Sequence, residues 1–339
     1  MQPLFSIIVP CYNLAPWIRQ CLDSVLEQDC QDWECVVVDD ESNDGSGDIL
    51  DEYATKDRRF KIIHQKNAGE GGARNAGLAE AKGDWIFFLD GDDVMSCSAL
   101  ETLSKIVDRY PNERLIRFAY ENFEDGSALP CVQHQGEVKG PIDISKSISY
   151  KDYFVYVWQF LFKRELIAGM KFDRYVRGAD RTFIVPVLCF RANSFVSTED
   201  ICYFYRKRAG SAINSHASVQ ALKDELSHHV DVIEAIDESG KAMSYRGSSW
   251  LEDYCLRRYL NIAEKLGGYS RKEQHILVEW FYHELPRICR AKDFSFAGKM
   301  SVCFYRIFRS RFGRYLISWF IPLWVRRMKR VIGMMFGEQ

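Results

Sequence analysis

The chain has 339 residues, of which 47% are hydrophobic and 27% are charged, enough apolar material for one large domain or two ordinary ones. The formal net charge of −2 is unevenly distributed, because residues 294–339 contain nine Lys or Arg and one acid, a charge of +8, and the preceding residues therefore have −10. An excess of basic over acidic residues that is confined to the tail argues against nucleic acid as a partner.

The eleven cysteines show no paired spacing, and the absence of a CxxC pattern argues against structural zinc. Cys11, Cys35 and Cys189 stand in apolar runs, which is typical of small buried side chains. No charged and apolar leader precedes the first apolar run, so we expect a cytoplasmic protein in a reducing compartment.

The first 120 residues alternate between short apolar runs, typical of buried strands, and segments with apolar residues every three or four positions, typical of helices. The predicted strands are 5–9, 34–38, 61–64, 85–89 and 115–119. The predicted helices are 17–26, 49–54, 72–81 and 100–107. This order predicts a Rossmann-like α/β fold with a mostly parallel sheet that helices cover on both faces. Residues 121–150 are polar and contain Gly and Pro, which predicts an insertion or a hairpin loop.

One predicted strand runs directly into Asp90-Gly91-Asp92-Asp93. Three carboxylates in four residues repel one another and need a positive partner. Their oxygens suit Mg²⁺ or Mn²⁺, which take one or two protein carboxylates and complete their coordination with substrate phosphates. The alternative is a plain polar turn around Gly91, but such a turn normally contains one Asp, and the pattern therefore favours a metal–phosphate site.

A second strand ends in Asp39-Asp40. Ligands of parallel sheets bind beyond the carboxyl ends of the strands, where an acidic side chain can accept hydrogen bonds from a ribose or a base. The next residues along the chain also suit the N-cap of a helix: Ser42, Asn43, Asp44 and Ser46. The two interpretations are compatible.

Residues 67–77, NAGEGGARNAG, form a Gly-rich segment without the spacing or the Lys of a P-loop. Gly69, Gly71 and Gly72 would let the backbone approach a ligand, and Arg74 in the first turn of the next helix could reach a phosphate. A flexible loop followed by a helix start explains the stretch equally well.

These stretches, with SIIVPCYN at 6–13, resemble in order and spacing the family 2 glycosyltransferases of bacterial surface-polysaccharide biosynthesis, which have the GT-A fold. The resemblance is firm from residue 4 to about 120 and looser to about 215. It implies a nucleotide-diphosphate-sugar donor, usually UDP-linked, a Mn²⁺ or Mg²⁺ ion held by Asp90, Asp92 and Asp93, and inversion at the anomeric carbon. The donor site that it implies comprises Pro10, Tyr12, Asn13, Asp39, Asp40, Asn67, Gly69, Arg74, Asn75, Asp90, Gly91 and Asp92.

The same family takes a proton from the acceptor hydroxyl with a carboxylate in a Gly-Glu-Asp motif. YVRGADRTF at 175–183 resembles this motif with Ala179 in place of the Glu, which makes Asp180 the expected general base. The missing Glu leaves acceptor specificity open, and a helix N-cap is the alternative role for Asp180.

The resemblance also suggests contacts to phosphate or acceptor for four residues: Trp158, Arg206, Arg208 and Ser211. A core tryptophan and an exposed basic loop are the alternative interpretations.

Residues 294–339 interleave aromatic and basic side chains, and the longest run without charge, 315–325, has 11 residues. A spanning helix needs about 20. The composition favours an interfacial helix with Trp and Arg at the lipid headgroups, although packing against the rest of the protein explains it too.

The sequence therefore predicts a GT-A domain at 1–215, with a nucleotide-sugar half at 1–120 and an acceptor half at 121–215, followed by a helical extension at 216–293 and a basic aromatic tail at 294–339. We expect an inverting transferase on the inner face of the cell membrane, acting on a lipid-linked glycan and compatible with a homo-oligomer.

Two rival functions compete with this interpretation. A sugar-phosphate nucleotidylyltransferase would place a Gly-rich phosphate loop after the first strand, where Pro10-Cys11-Tyr12-Asn13 stands instead. A non-catalytic member that binds a nucleotide sugar or a partner protein stays open because of Ala179.

Overall fold

The computed structural model describes residues 2–129, 136–144, 156–172 and 179–208 and a few positions between 218 and 276. The chain divides into two compact units, one comprising Met1–Ser147 and Phe154–Ser215, the other Ile148–Tyr153 and His216–Gln339. Nearly all described residues belong to the first unit. The predicted basic tail lies outside the described residues, as does almost all of the predicted helical extension.

The first unit contains nine strands and five α-helices whose bounds the described residues give. The strands are β1 (Phe5–Cys11), β2 (Trp33–Asp39), β3 (Phe60–His64), β4 (Trp85–Phe88), β5 (Val94–Met95), β6 (Leu115–Glu124), β7 (Val138–Asp143), β8 (Phe160–Lys163) and β9 (Ser194–Lys207). The helices are α1 (Ile18–Leu26), α2 (Ser46–Lys56), α3 (Gly69–Glu80), α4 (Ala99–Arg109) and α5 (Ala179–Pro186). Within these described residues, no helix combines the length and the apolar character that crossing a bilayer requires.

The nine strands form one mixed sheet in the order β3-β2-β1-β4-β8-β6-β9-β5, with β7 also paired to β9. β1 is parallel to β2 and β4, and β2 is parallel to β3, which confirms the predicted arrangement for the first four strands. The second half departs from it, because β8 lies antiparallel between β4 and β6. β6 and β9 are parallel, whereas β5 and β7 run antiparallel to β9.

Both faces of the parallel half are buried, which explains its continuous apolar strands. On β2, Cys35 and Val37 face a large core with α1 and α4, whereas Val36 and Val38 pack with Ala73 of α3 on the opposite face. A further aromatic cluster lies where α5 covers the sheet: Phe88, Phe162, Phe172 and Phe183 contact one another, with ring centroids 4.1 to 6.0 Å apart.

Two element boundaries differ from the sequence prediction. β1 continues past Pro10 to Cys11, because the backbone of Pro10 faces the side of β4, where pairing already ends at Ile8. α3 begins at Gly69, so the Gly-rich segment forms the first turn of a helix rather than a loop. Gly69 has a φ of 75°, a conformation that favours glycine.

The turn between α3 and β4 requires glycine at position 83. A Cβ there would lie 2.5 Å from the backbone nitrogen of Ser6 and 2.6 Å from the carbonyl carbon of Phe5. We expect Gly83→Ala to lower the free energy of unfolding by about 1–3 kcal/mol, since the backbone of β1 must move. Urea unfolding measures this effect.

The matched control is Lys82→Ala, one residue away and exposed, for which a change within about 0.5 kcal/mol is expected. Equal stabilities of the Gly83 and Lys82 variants would contradict this account of the turn.

Candidate active site

The acidic and Gly-rich motifs meet at the carboxyl edge of the parallel strands. Asp39 and Asp40 end β2, Asp90 follows β4, and Asn13 follows β1. Parallel strands bring their carboxyl ends to one edge, which is where such sheets bind ligands. The structure therefore assembles there most of the residues that the sequence motifs singled out.

The loops after β1 and β2 are tied to each other by hydrogen bonds. The amides of Asn13, Leu14 and Ala15 donate to Ser42 Oγ, Ser46 Oγ and Asp44 Oδ2 at 2.9 to 3.0 Å. Asn13 Oδ1 in turn accepts from the amide of Asn43 at 2.9 Å. The predicted capping residues therefore bind the neighbouring loop, and the cap position of α2 is Gly45, without a side-chain bond. Tyr12, the residue before Asn13, is half exposed.

Asp39 is held by a histidine that the sequence motifs did not single out. Its Oδ2 lies 2.9 Å from His64 Nδ1, and its Oδ1 accepts from the amide of Ser42 at 3.0 Å. His64 Nε2 lies 3.1 Å from Asp51. The hydrogen bonds to Asp39 and then Asp51 raise the pKa of His64 above its ordinary value. Both oxygens of Asp39 thus have partners inside the protein.

Asp40 keeps one oxygen open. Its Oδ1 accepts from Gln65 Nε2 at 2.7 Å and from the amide of Ala68 at 2.8 Å, which joins the end of β2 to the start of α3. Asn67 Nδ2 donates to the Asp40 carbonyl at 3.1 Å. No described residue donates to Asp40 Oδ2. This oxygen can accept from a ligand, as the predicted role of Asp40 requires.

One buried arginine joins the two carboxylates that matter most for the predicted chemistry. Arg74 Nη2 donates to Asp90 Oδ1 at 2.7 Å, and Nη1 donates to Asp180 Oδ1 at 2.6 Å. Glu70, one turn earlier on α3, also pairs with Nη2. The second oxygen of Asp180 accepts from the amide of Val157 at 3.2 Å. A single guanidinium therefore sets the spacing between Asp90 and Asp180.

The side chain of Arg74 is 0% exposed. Burial lowers its pKa, but the surrounding carboxylates outweigh that effect and the net shift is upward. For Asp90, burial raises the pKa to about 7 in spite of Arg74. Arg74 Nε is buried without a hydrogen-bond acceptor among the described residues. In this conformation Arg74 binds carboxylates and does not reach outward as a predicted phosphate ligand would.

Asp93 differs from its predicted role as a metal ligand. It is buried, and its Oδ2 accepts from Tyr203 Oη at 2.5 Å while its Oδ1 accepts from the amide of Arg206 at 2.7 Å. Tyr203 Oη also accepts from the amide of Asp90 at 3.2 Å. Asp93 therefore fixes the acidic loop to β9, and its oxygens are turned away from the ligand edge.

Asp92 faces a second arginine. Arg208 Nε donates to Asp92 Oδ2 at 2.7 Å, and its guanidinium lies 4.3 Å from the ring centroid of Trp17. Both charged side chains stay partly exposed, at 18% for Arg208 and 21% for Asp92. This pair lies at the surface of the site, where a ligand can exchange with it.

The donor set suits a hard cation held by two carboxylates. Asp90 pairs with Arg74 and Asp92 with Arg208, so both carboxylates lie where positive charge is favourable. Among the residues that the structure describes, no three acidic, His or Cys side chains converge in a metal-binding group. Mg²⁺ and Mn²⁺ require only one or two protein carboxylates when substrate phosphates complete the shell. Asp90 and Asp92 thus fit such an ion, without Asp93.

Three further predicted residues have structural roles. Asn75 exchanges two hydrogen bonds with the backbone of Phe172, at 2.7 and 2.8 Å. Trp158 is a core residue stacked on Tyr203 with centroids 4.5 Å apart. Arg206 is buried, and its Nε donates to the carbonyl of Asp92 at 2.6 Å. These three side chains therefore hold neighbouring parts of the protein in place. The fourth residue, Ser211, lies outside the described residues.

Sequence reasoning missed Glu70, His64 and Tyr203. Glu70 precedes Arg74 by four residues in a helix, a spacing that predicts an ion pair. His64 ends a predicted strand beside the one that ends in Asp39, which also could have been noticed. Tyr203 lies 110 residues from Asp93, and no local pattern indicates that contact.

Comparisons with known proteins match part of the chain to a family and to several relatives. The family described as Glycosyl transferase family 2 matches residues 6–168. An uncharacterized glycosyltransferase of Bacillus subtilis (strain 168), EpsJ, is 32% identical over 217 residues, which cover 62% of this chain and 63% of EpsJ. TuaG, a putative teichuronic acid biosynthesis glycosyltransferase of the same organism, is 35% identical over 141 residues, 40% of this chain and 54% of TuaG. The chain thus spans less than two thirds of either relative.

Among solved structures, S. aureus TarS in complex with UDP-GlcNAc superposes with a TM-score of 0.70. The match covers 84% of this chain and 81% of the TarS chain at 20% identity. This likeness shows the GT-A fold.

The pairing of His64 with Asp39 and Asp51 predicts a pH-dependent stability. Because the folded-state pKa of His64 is raised, its protonation stabilises the fold fully below the unfolded pKa of about 6.5 and no longer does so once the pH exceeds the folded-state pKa. The difference in Tm between the wild type and His64→Gln should therefore be largest in mild acid and shrink as the pH rises. Asp51→Asn is the control and should weaken this dependence. A difference that is constant across pH would refute the role of His64.

Arg74 provides a second prediction. Arg74→Met leaves Asp90 and Asp180 without their shared counter-charge, and we expect a loss of about 3–5 kcal/mol in the free energy of unfolding. The control is Arg19→Met, which removes an equally short but exposed pair with Glu52 and should cost at most about 1 kcal/mol. Urea titrations measure the free energy of unfolding of both variants. Similar losses would show that Arg74 stabilises the fold no more than an exposed ion pair does.

Proposed function

The chain contains a glycosyltransferase domain of family 2 with the GT-A fold, and we propose that it transfers a sugar with inversion from a UDP-linked donor to a lipid-linked glycan. One observation is central to this proposal. Arg74 binds Asp90, expected on the donor side, and Asp180, the expected base, through the two terminal nitrogens of one guanidinium. Donor and acceptor chemistry would thereby meet within a few ångströms.

The donor half of the proposal rests on the edge formed by β1 and β2. Asp40 Oδ2 is open to accept from a base or ribose, and Tyr12 offers a half-exposed ring beside it. TarS, which shares the fold, was crystallised with UDP-GlcNAc. This supports a uridine nucleotide as the donor class.

A Mn²⁺ or Mg²⁺ ion would be held by Asp90 and Asp92. When bound together with the donor, such an ion stabilises the charge that develops on the leaving diphosphate. Arg208 already lies against Asp92, and its charge would be available to the same phosphates once Asp92 has another partner.

Asp180 would be the general base. In the proposed step the acceptor hydroxyl oxygen bonds to the anomeric carbon as the bond from that carbon to the diphosphate oxygen breaks on the opposite face. The hydroxyl proton passes to the carboxylate of Asp180. Arg74 and the Val157 amide orient this carboxylate, one on each oxygen. Ala179 beside it is buried and supplies no second carboxylate.

The proposed acceptor and location follow from the relatives and the tail. TuaG is named for teichuronic acid biosynthesis, which supports a growing polysaccharide as the acceptor. A tail with nine basic residues within 294–339 would bind the inner face of the membrane, where such an acceptor is presented. Association into a homo-oligomer is part of the same proposal.

One observation favours the non-catalytic alternative. Both oxygens of Asp180 already have donors, and Ala179 stands where the family has a carboxylate. A protein that only binds a nucleotide sugar needs no open base.

Thermal shifts with UDP, GDP, CDP and dTDP, each with and without Mn²⁺, test donor binding. A ligand that binds only the native state stabilises it by about 2.7 kcal/mol at a hundredfold excess over Kd. We expect UDP to raise the Tm only with Mn²⁺, and Asp92→Ala to abolish the shift. Asp108→Ala, an exposed carboxylate on α4, should retain it. No shift with any nucleotide would favour the non-catalytic alternative, and a shift indifferent to Mn²⁺ and Asp92 would contradict the metal site.

The role of Asp180 is tested by Asp180→Asn. We expect UDP release in the presence of extracted lipid-linked glycans to fall by about 10²–10⁴-fold, because the acceptor proton has no base. The UDP-dependent Tm shift should remain, which separates chemistry from binding. Asp108→Asn is the control for the substitution, and full activity of Asp180→Asn would rule out this base.

A further inference from the structure

A cavity of about 420 Å³ lies in the acceptor half, within the first compact unit. The described residues that line it belong to β6, to β7 and the residue before it, to β9 and to the 3₁₀ turn Val157–Gln159. The side chains that matter to its chemistry are Arg117, Tyr120, Glu137, Lys139, Gln159 and Glu199. The volume falls in the range of about 300–1,000 Å³ that is typical of small-molecule sites.

Gln159 is the distinctive group of this cavity. The residue is 5% exposed, and its side-chain amide has no hydrogen-bond partner among the described residues. Its polar atoms are not among the fully buried unpaired ones, which in the described part of the chain are Trp33 Nε1 and Arg74 Nε. A fully buried amide is normally bonded within the protein, whereas this one opens into the cavity, where water or a ligand can bond to it. Gln28 shows the usual case: it is 1% exposed and makes three hydrogen bonds, to Ser24, Ser96 and Leu100. A polar group that opens into a cavity wall is available to orient a ligand there.

The turn that supplies Gln159 to the cavity also contacts the proposed base. Gln159 belongs to the same 3₁₀ turn as Val157, whose amide holds the second oxygen of Asp180. Trp158 between them contacts Tyr120 of the cavity edge to face, with centroids 4.9 Å apart, and stacks on Tyr203. One short turn therefore lines the cavity through Gln159 and holds Asp180 through the amide of Val157.

The described lining suits a neutral, hydroxyl-rich ligand. It contains two cations, Arg117 and Lys139, and two anions, Glu137 and Glu199, so it has no excess charge to attract an anion. Lys139 pairs with Glu137 at 2.9 Å and Glu199 at 3.0 Å. Donors and acceptors on several walls, with the ring of Tyr120 at one side, match the alternating hydroxyls and apolar face of a sugar.

We propose that this cavity binds a neutral sugar unit of the acceptor glycan, and that the Gln159 amide is a specificity-determining group for that sugar. The inference rests on the proposed transferase function. It extends that function by placing an acceptor sugar in the cavity lined by β6, β7 and β9 and by assigning its recognition to one amide.

A series of three Gln→Leu substitutions tests the role of Gln159 in the free protein. Gln159→Leu removes an unpaired amide and should leave the Tm unchanged or raise it. Gln28→Leu leaves three partners unpaired and should lower it, whereas Gln2→Leu, at the surface, should have no effect. A loss of Tm in Gln159→Leu similar to that in Gln28→Leu would show a structural role and overturn the proposal.

Saturation-transfer NMR measures binding in the same series. The probes are the methyl glycosides of glucose, galactose, N-acetylglucosamine and N-acetylgalactosamine, with methyl glucuronide and glucose 6-phosphate as anionic comparators. We expect at least one neutral glycoside to bind the wild type and Gln2→Leu, and its Kd to rise about tenfold in Gln159→Leu, the effect of one lost hydrogen bond. The anionic comparators should bind more weakly.

The outcomes separate this inference from the proposed function. Failure of all neutral glycosides to bind the wild type, equal Kd values in Gln159→Leu, or preference for the anions each overturn the sugar site, whatever UDP does. Failure of UDP to bind would contradict the proposed transferase function. The NMR result would still show whether the cavity binds a neutral sugar. If both bind, the acceptor kcat/KM should fall selectively in Gln159→Leu.

Discussion

The packing of Glu70, Asp90 and Asp180 around Arg74 is the constraint on which the site depends. Carboxylates brought together at the edge of a sheet repel one another, and burial makes this repulsion larger. A guanidinium with no exposed surface offsets it for all three groups at once. Arg208 and the Tyr203–Arg206 contacts do the same for Asp92 and Asp93. The fold thus holds its acidic loop with donors of its own.

The rest of the fold positions these groups relative to one another. Parallel strands supply the edge, and the tied loops after β1 and β2 fix its donor side. The antiparallel strand β8 directly follows the turn Val157–Gln159, whose first amide binds Asp180. The aromatic stack of Trp158 and Tyr203 then links that turn to the acidic loop. The residues proposed to contact the donor and the acceptor thus depend on the same small set of backbone turns.

The parallel half of the fold was predictable, because buried strands and amphipathic helices leave a periodic signal in the sequence. The acidic motif and Asp40 were identified for the same reason, since strand ends meet at one edge. The contact of Arg74 with Asp180 joins residues 106 apart, and the position of β8 depends on pairing across the chain. Asp93 and Arg206 look like ligands in sequence, but each is buried by a long-range contact that no local spacing encodes.

Helix α3 is attached at several points along its length. Asp40 binds its start through the amide of Ala68, Arg74 and Asn75 bind groups from the acceptor half, and Gly77 packs directly on Ile8. Each residue added to a helix rotates the later side chains by about 100° around the helix axis. An insertion or deletion within α3 would therefore point Arg74 away from one carboxylate or Gly77 away from the sheet. During divergence of related chains, length variation should accumulate in surface turns such as 125–128, and α3 should keep its residue count.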